Sequence, residues 1–145
     1  MDDWIKTLLS ELHVESLKHL GFRKKARTFS RDCGTYWERF NFQGSSWNST
    51  GIKWRFYLNV GIEFKDIAPE RYWSYFANTH WANRIDHLLP NAPKDWDYNQ
   101  STNKTKLKLE IIELIKEASV ILATQHNNLR ENYIETKIQS KSTKN

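Results

Sequence analysis

The chain has 145 residues, a single cysteine and a formal net charge of +5. One domain of this length buries about two thirds of its unfolded surface without disulfide help, and the lone Cys33 excludes an intrachain bridge. No apolar run reaches the ~18 residues a membrane span needs. The acidic start "MDDWIKTLLSELHVE" also lacks the basic flank of a secretory signal, so a cytoplasmic protein that does not engage membranes is expected.

Asp2 to about His19 reads as a helix. Trp4, Ile5, Leu8, Leu9 and Leu12 follow the three–four spacing, and Leu17 and Leu20 extend the stripe, which drifts over Val14–Ser16. Gly21 suits the residue just past a helix end, with Phe22 closing the cap hydrophobically. A strand is expected over Arg27–Arg31, a turn over Asp32–Thr35, a second strand over Tyr36–Gln43 and a third over Ile52–Phe64. The third alternates throughout. Ile52, Trp54, Phe56, Leu58, Val60, Ile62 and Phe64 share one side; Lys53, Arg55, Tyr57, Asn59, Gly61, Glu63 and Lys65 share the other.

Parity restricts how the second and third strands pair, because a one-residue slip swaps the faces. The expected register sets Phe42 opposite Trp54, Phe40 opposite Phe56 and Tyr36 opposite Val60. On the polar side it sets Asn41 opposite Arg55, Arg39 opposite Tyr57 and Trp37 opposite Asn59. The neighbouring slip that opposes Arg39 and Arg55 is unfavourable. Trp47 then falls in a loop over 44–51.

Ala68-Pro69-Glu70 opens a second helix running to about Ala77. Thr79–Leu89 continues it or forms a third, and Pro90 stops it. Residues 91–105 read as a polar surface loop pinned by Trp96 and Tyr98. Lys106 to about Tyr133 is a long helix whose buried stripe is Leu107, Ile111, Leu114, Ile115, Ala118, Ile121, Leu122 and Leu129. The fold class is α+β: a single domain over residues 1–134, with an antiparallel meander of about three or four strands, helices packed on one face and a long C-terminal helix. Residues 135–145 are expected to be a flexible basic tail.

The segments "LKHLGFRKKARTFSRD", "WERFNFQGSSWNS", "YLNVGIEF" and "HWANRIDHLLP", with Trp96 soon after, occur in that order. Together, over about Leu17–Asp97, they resemble the bacterial domain-of-unknown-function family 4304. The resemblance implies a small α+β domain of bacteria. It carries over no catalytic residue.

The polar side of the hairpin is the candidate binding surface: Trp37, Arg39, Asn41, Gln43, Arg55, Tyr57 and Asn59, with Trp47 at its loop. Amides read a peptide backbone or a base edge, and rings stack on bases. A solvated sheet face with cross-strand pairs is the plainer alternative. Arg23, Lys24, Lys25, Arg27 and Arg31 form a basic segment with no acid between them; without those five, the remaining basic residues equal the 17 acidic ones. The excess is local, and it follows a helix C-terminus rather than the amide-rich N-terminus of a typical phosphate site. Glu38 is the one charge on the apolar side of the second strand, and a structural ion pair with Arg31 or Arg27 is expected for it.

Glu63-Phe64-Lys65 has the E-x-K form of metal-dependent nucleases, but Glu38 cannot share a metal with Glu63 because parity opposes them. His80 and His87 lack ligand spacing, and His80 and Asp86 read as cap or surface residues. No catalytic residue, metal site or cofactor is expected. The functional expectation is a non-enzymatic binding protein that holds a protein partner, by analogy a bacterial defence or toxin-immunity accessory. A single-stranded nucleic-acid binder is the alternative, and a nuclease comes third.

Overall fold

A computed structural model describes residues 2–45, 54–68 and 79–142. The first helix, α1 (Asp2–Leu12), forms where Ile5, Leu8, Leu9 and Leu12 recur at helical spacing, and all four are buried. The next buried residue, Leu17, comes one position too late for that stripe. The chain absorbs the offset in a π-helical stretch, His13–Leu17, closed by the Lys18 N–H on the His13 carbonyl at 2.8 Å. The drift over Val14–Ser16 is this extra residue. Gly21, at φ +94°, then ends the helix. Its N–H bonds the Lys18 carbonyl at 3.1 Å, and the Phe22 N–H bonds the Leu17 carbonyl at 3.0 Å, a Schellman cap with buried Leu17 and Phe22 as its apolar pair.

Among the described residues six strands follow in one antiparallel sheet: β1 (Arg23–Lys25), β2 (Thr28–Asp32), β3 (Tyr36–Gly44), β4 (Trp54–Phe64), β5 (Trp81–Arg84) and β6 (Trp96–Tyr98). Their order is β1-β2-β3-β4-β5, and β6 lies beside the first residues of β4. The count exceeds the expected three or four because β1, β5 and β6 are too short to show alternation. β1 and β2 join through Ala26-Arg27, with Ala26 at φ +53°. β2 and β3 join through a turn in which Asp32 Oδ1 accepts the Gly34 N–H at 2.9 Å.

The faces of β3 and β4 are as parity requires, but the register differs from the expected one by four residues. Phe42 stands opposite Leu58, Phe40 opposite Val60 and Tyr36 opposite Phe64; Asn41 faces Asn59 and Trp37 faces Glu63. Any slip by two preserves the faces, so the choice falls to particular side chains. In the observed register Asn59 donates to Asn41 and Gln43, and Arg39 reaches Glu63. Trp54 is freed from β3 to pair with Tyr98 on β6, and its ring lies against Gly44, where a Cβ would stand 2.9 Å from it.

Residues 79–89 are not the expected helix. The His80 N–H bonds the Ile62 carbonyl at 2.7 Å, and β5 completes the edge of β4 before a single helical turn, α2 (Ile85–Leu88). Ladder bonds to an open strand edge outweigh local helical pattern here. His80 is buried rather than at a cap or surface. Trp96 does pin the 91–105 segment, stacking on Phe56 at 5.5 Å, though as part of a strand. The helix expected over 69–77 lies outside the described residues.

The long helix, α3 (Lys104–Ser142), starts two residues earlier than expected and continues through 135–142, where a frayed tail was expected. Leu107, Ile111, Leu114, Ile115, Ala118 and Leu122 are buried on the apolar sheet face with α1. Phe29, Phe40, Phe42, Phe56, Leu58 and Ile62 form that face. Lys108 ties the helices together by meeting Glu11 and Glu15, each at 3.0 Å. Among the described residues no helix is long and apolar enough to cross a membrane.

Candidate functional site

The polar face of the sheet is built in rows by the register. Lys25, Thr28, Asn41, Asn59 and Arg84 form one row; Arg23, Ser30, Arg39, Gly61 and Ala82 form the next; Asp32, Trp37 and Glu63 form a third. Side chains along the first row are joined. Asn41 donates to Thr28 Oγ1 at 3.0 Å, while Asn59 Nδ2 donates to Asn41 Oδ1 at 3.1 Å and to Gln43 Oε1 at 3.0 Å. Asn59 is only 1% exposed, so it underlies the network, while Asn41 is half-buried and Gln43 is exposed.

The charges on this face are largely paired. Arg39 bonds Ser30 Oγ at 2.6 Å and Glu63. Lys65 meets Asp32 at 2.5 Å and holds its carboxyl below the ordinary value. Arg55, further along β4, lies 3.4 Å from Asp97 and 3.8 Å from Asp95. Trp37 sits among three cations: Lys65 at 5.1 Å from its ring centroid, Arg39 at 5.5 Å and Arg23 at 5.9 Å. The Arg84 guanidinium covers the Tyr57 ring at 4.0 Å.

Of the sequence-predicted binding residues, Trp37, Arg39, Asn41, Gln43, Tyr57 and Asn59 therefore come together, and Arg55 lies beside them. Trp47 lies outside the described residues. The basic segment is not one patch. Arg23 and Lys25 point along the polar side at the β1 edge, whereas Lys24, Arg27 and Arg31 have the opposite parity, with Arg27 5.8 Å from the Trp54 ring centroid and Arg31 on Glu38. Arg84, Glu63 and Lys65, with Thr28, Ser30 and Asp32 as partners on the neighbouring strand, are contributors that sequence reasoning did not include. Arg84 was hidden by the helical reading of its segment; Glu63 and Lys65 already carried the right parity. Glu63 and Lys65, the acid and base of the E-x-K triplet, are both engaged in ion pairs, and no group of three His, Cys, Asp or Glu suited to a metal occurs among the described residues.

A family model described as a domain of unknown function (DUF4304) matches residues 13–125, from the π-helical stretch through most of α3. The chain belongs to the DUF4304 family. The match includes all six described strands and extends past the segments that carry the sequence resemblance, which end near Asp97. No curated protein and no solved structure matches the chain.

The DUF4304 domain holds a second polar cluster on its apolar face. Arg31 and Glu38 are direct cross-strand partners. Arg31 Nε donates to Glu38 Oε1 at 2.6 Å, and Nη2 lies 2.5 Å from the same oxygen. Ser119 of α3 donates to that oxygen at 3.0 Å, and Arg31 Nη1 donates to the Leu20 carbonyl at 3.1 Å. Burial pushes the Glu38 carboxyl up, with Arg31 and Ser119 opposing the shift. The expected structural ion pair is present, made with Arg31 and not Arg27. Its neighbour is a cleft of about 360 Å³ between the end of the first helical region, β2 and α3. The lone acid on an apolar strand face was the one sequence signal pointing here; the cleft depends on α3, whose placement strand parity does not determine.

Proposed function

We propose that this DUF4304 protein is a non-catalytic binding protein of the bacterial cytoplasm that recognises a protein partner through the polar face of its sheet. The observation that carries this reading is the internal compensation of that face. Arg39, Lys65 and Arg55 each have a carboxylate partner. Among these pairs the face carries amides and rings: exposed Gln43 and half-buried Asn41, Trp37 and Tyr57. A paired-charge surface with oriented amides suits a polypeptide, whose backbone offers matching donors and acceptors, better than a phosphate track. The single Cys33, with its thiol pushed up by burial, suits a reducing compartment. An accessory role in defence or toxin immunity accords with a small domain of this kind by analogy alone.

Exposed Arg23, Lys24 and Lys25 favour single-stranded nucleic acid as the second reading. One experiment separates the two. A photo-crosslinking residue at Gln43 is compared with one at Glu117, an exposed position on α3, in nuclease-treated lysate. A discrete protein adduct from position 43 that persists at high salt supports the proposal. Retention on a single-stranded DNA column that falls steeply with salt, is lost in Lys24→Ala/Lys25→Ala/Arg27→Ala and survives Trp47→Ala would replace it.

A further inference from the structure

The cleft beside Arg31 is independent of the polar sheet face, being on the other side of the sheet. Its walls are Leu20 and Phe22 on one side and Ile115 and Val120 of α3 on the other. Small-ligand sites span roughly 300–1,000 Å³, and at about 360 Å³ this cleft is at the lower end. Three polar residues line it, Arg31, Lys116 and Ser119, and the Ser119 hydroxyl is already committed to Glu38.

The Arg31 head is held rigidly. Its Cζ lies 4.7 Å from the Phe22 ring centroid, and its bonds to Glu38 and to the Leu20 carbonyl fix its direction. A guanidinium carries more N–H groups than those partners take, the Arg31 side chain is 29% exposed, and Arg31 lines the cleft. Glu38, almost wholly buried, thus serves as a positioning residue for a cation that lines the cleft. Among the described residues the Lys116 ammonium meets Glu113, an exposed contact at 3.4 Å, which contributes little against a ligand. Two cations above apolar walls specify an anion with an apolar body. The Glu38 carboxylate next to Arg31 subtracts from the positive field, which favours a single negative charge over a phosphate dianion.

We propose that this cleft binds a small organic monocarboxylate, its carboxylate between Arg31 and Lys116 and its apolar body along Phe22, Ile115 and Val120. Octanoate is the probe, titrated into the full chain while the backbone amide resonances of Ser119, Val120 and Ala123 are followed. Substitution of Arg31 endangers folding by stranding Glu38. The variants are therefore Lys116→Glu and Val120→Glu, at side chains 51% and 68% exposed. Saturable shifts in the wild type are expected, with binding weakened at least about fivefold by each variant, as for loss of one charge-assisted contact or one apolar wall. 1-Octanol should bind at least about fivefold more weakly than octanoate for the same reason. Absence of saturation overturns the proposal. So does octanol binding as tightly as octanoate, which would reduce the cleft to an apolar patch, or octyl phosphate binding more tightly, which would make it a phosphate site. Variants that bind octanoate like the wild type would place the ligand elsewhere.

Discussion

Glu38 and Arg31 face each other across β2 and β3 beneath α3, the Glu38 side chain 1% exposed and the Arg31 side chain 29% exposed. This asymmetry defines what the pair does for folding. The carboxyl is desolvated, and desolvation is the largest influence on it, so its proton is held above the ordinary 4.5. In the window between 4.5 and the raised value the folded chain binds more protons than the unfolded one. Stability from this group is therefore complete below 4.5 and is lost as pH rises through the folded value.

Glu38→Gln removes that titration while keeping an oxygen that Arg31 and Ser119 can donate to. Near pH 4 the variant and the wild type should melt together. Toward pH 8 the variant should gain relative to the wild type, because only the wild type must hold a charge in the interior. Thermal melts at both pH values check this, and a difference that stays constant or runs the other way would contradict it.

How much of this was legible follows from the kind of information each feature needs. Alternation places Phe40, Phe42, Trp54 and Val60 on one face, because strand geometry alone decides it. The pairing of Phe42 with Leu58 was not legible, since slips by two preserve every face and differ only in which amides and charges meet. Excluding the Arg39–Arg55 opposition removed one candidate and left the others. β5 was lost because four residues with helix-compatible spacing carry no alternation, and its identity depends on the open edge of β4. The isolated Glu38 was visible, but the cleft beside it needs the path of α3.

His80 titrates with the opposite sense. Its Nδ1 accepts the Phe64 N–H at 2.9 Å, which requires a neutral ring with its proton on Nε2, and burial holds its pKa below 6.5. The unfolded chain then binds more protons as pH falls below 6.5, so this stability is complete above that value and is lost on acidification. His80→Asn keeps an acceptor near the Phe64 N–H and drops the titration. It should be less stable than the wild type at pH 8, because ring contacts with Phe64 and Tyr133 are lost. The gap should narrow by pH 5. A gap that widens on acidification would refute this role.

Gly44 is required by contact. A Cβ there would lie 2.9 Å from Cη2 and Cζ3 of Trp54, a buried ring, and 3.5 Å from Nη1 of Arg27. Gly44→Ala should cost about 1–3 kcal/mol, the usual range for overpacking. In Trp54→Phe, which removes the far ring, the same substitution should add almost nothing. Denaturant melts of the four chains measure this coupling, and additive losses would show that Gly44 serves some other purpose.

Asn59 distinguishes stabilisation from presentation. Its Nδ2 donates to Asn41 and Gln43, but its own Oδ1 is buried without a hydrogen bond, which offsets part of the gain. In Asn59→Leu the carbonyls of Asn41 and Gln43 turn to solvent, since Asn41 is half-buried and Gln43 exposed, and the orphan oxygen disappears. Stability should change by no more than about 1 kcal/mol. Recognition should respond differently, because the two outward amides lose the donor that orients them and must be ordered when a partner binds. The yield of the Gln43-position crosslink in nuclease-treated lysate should therefore fall several-fold while the melting temperature stays near that of the wild type. An unchanged yield in a well-folded Asn59→Leu chain would mean that the amide row does not present the binding surface.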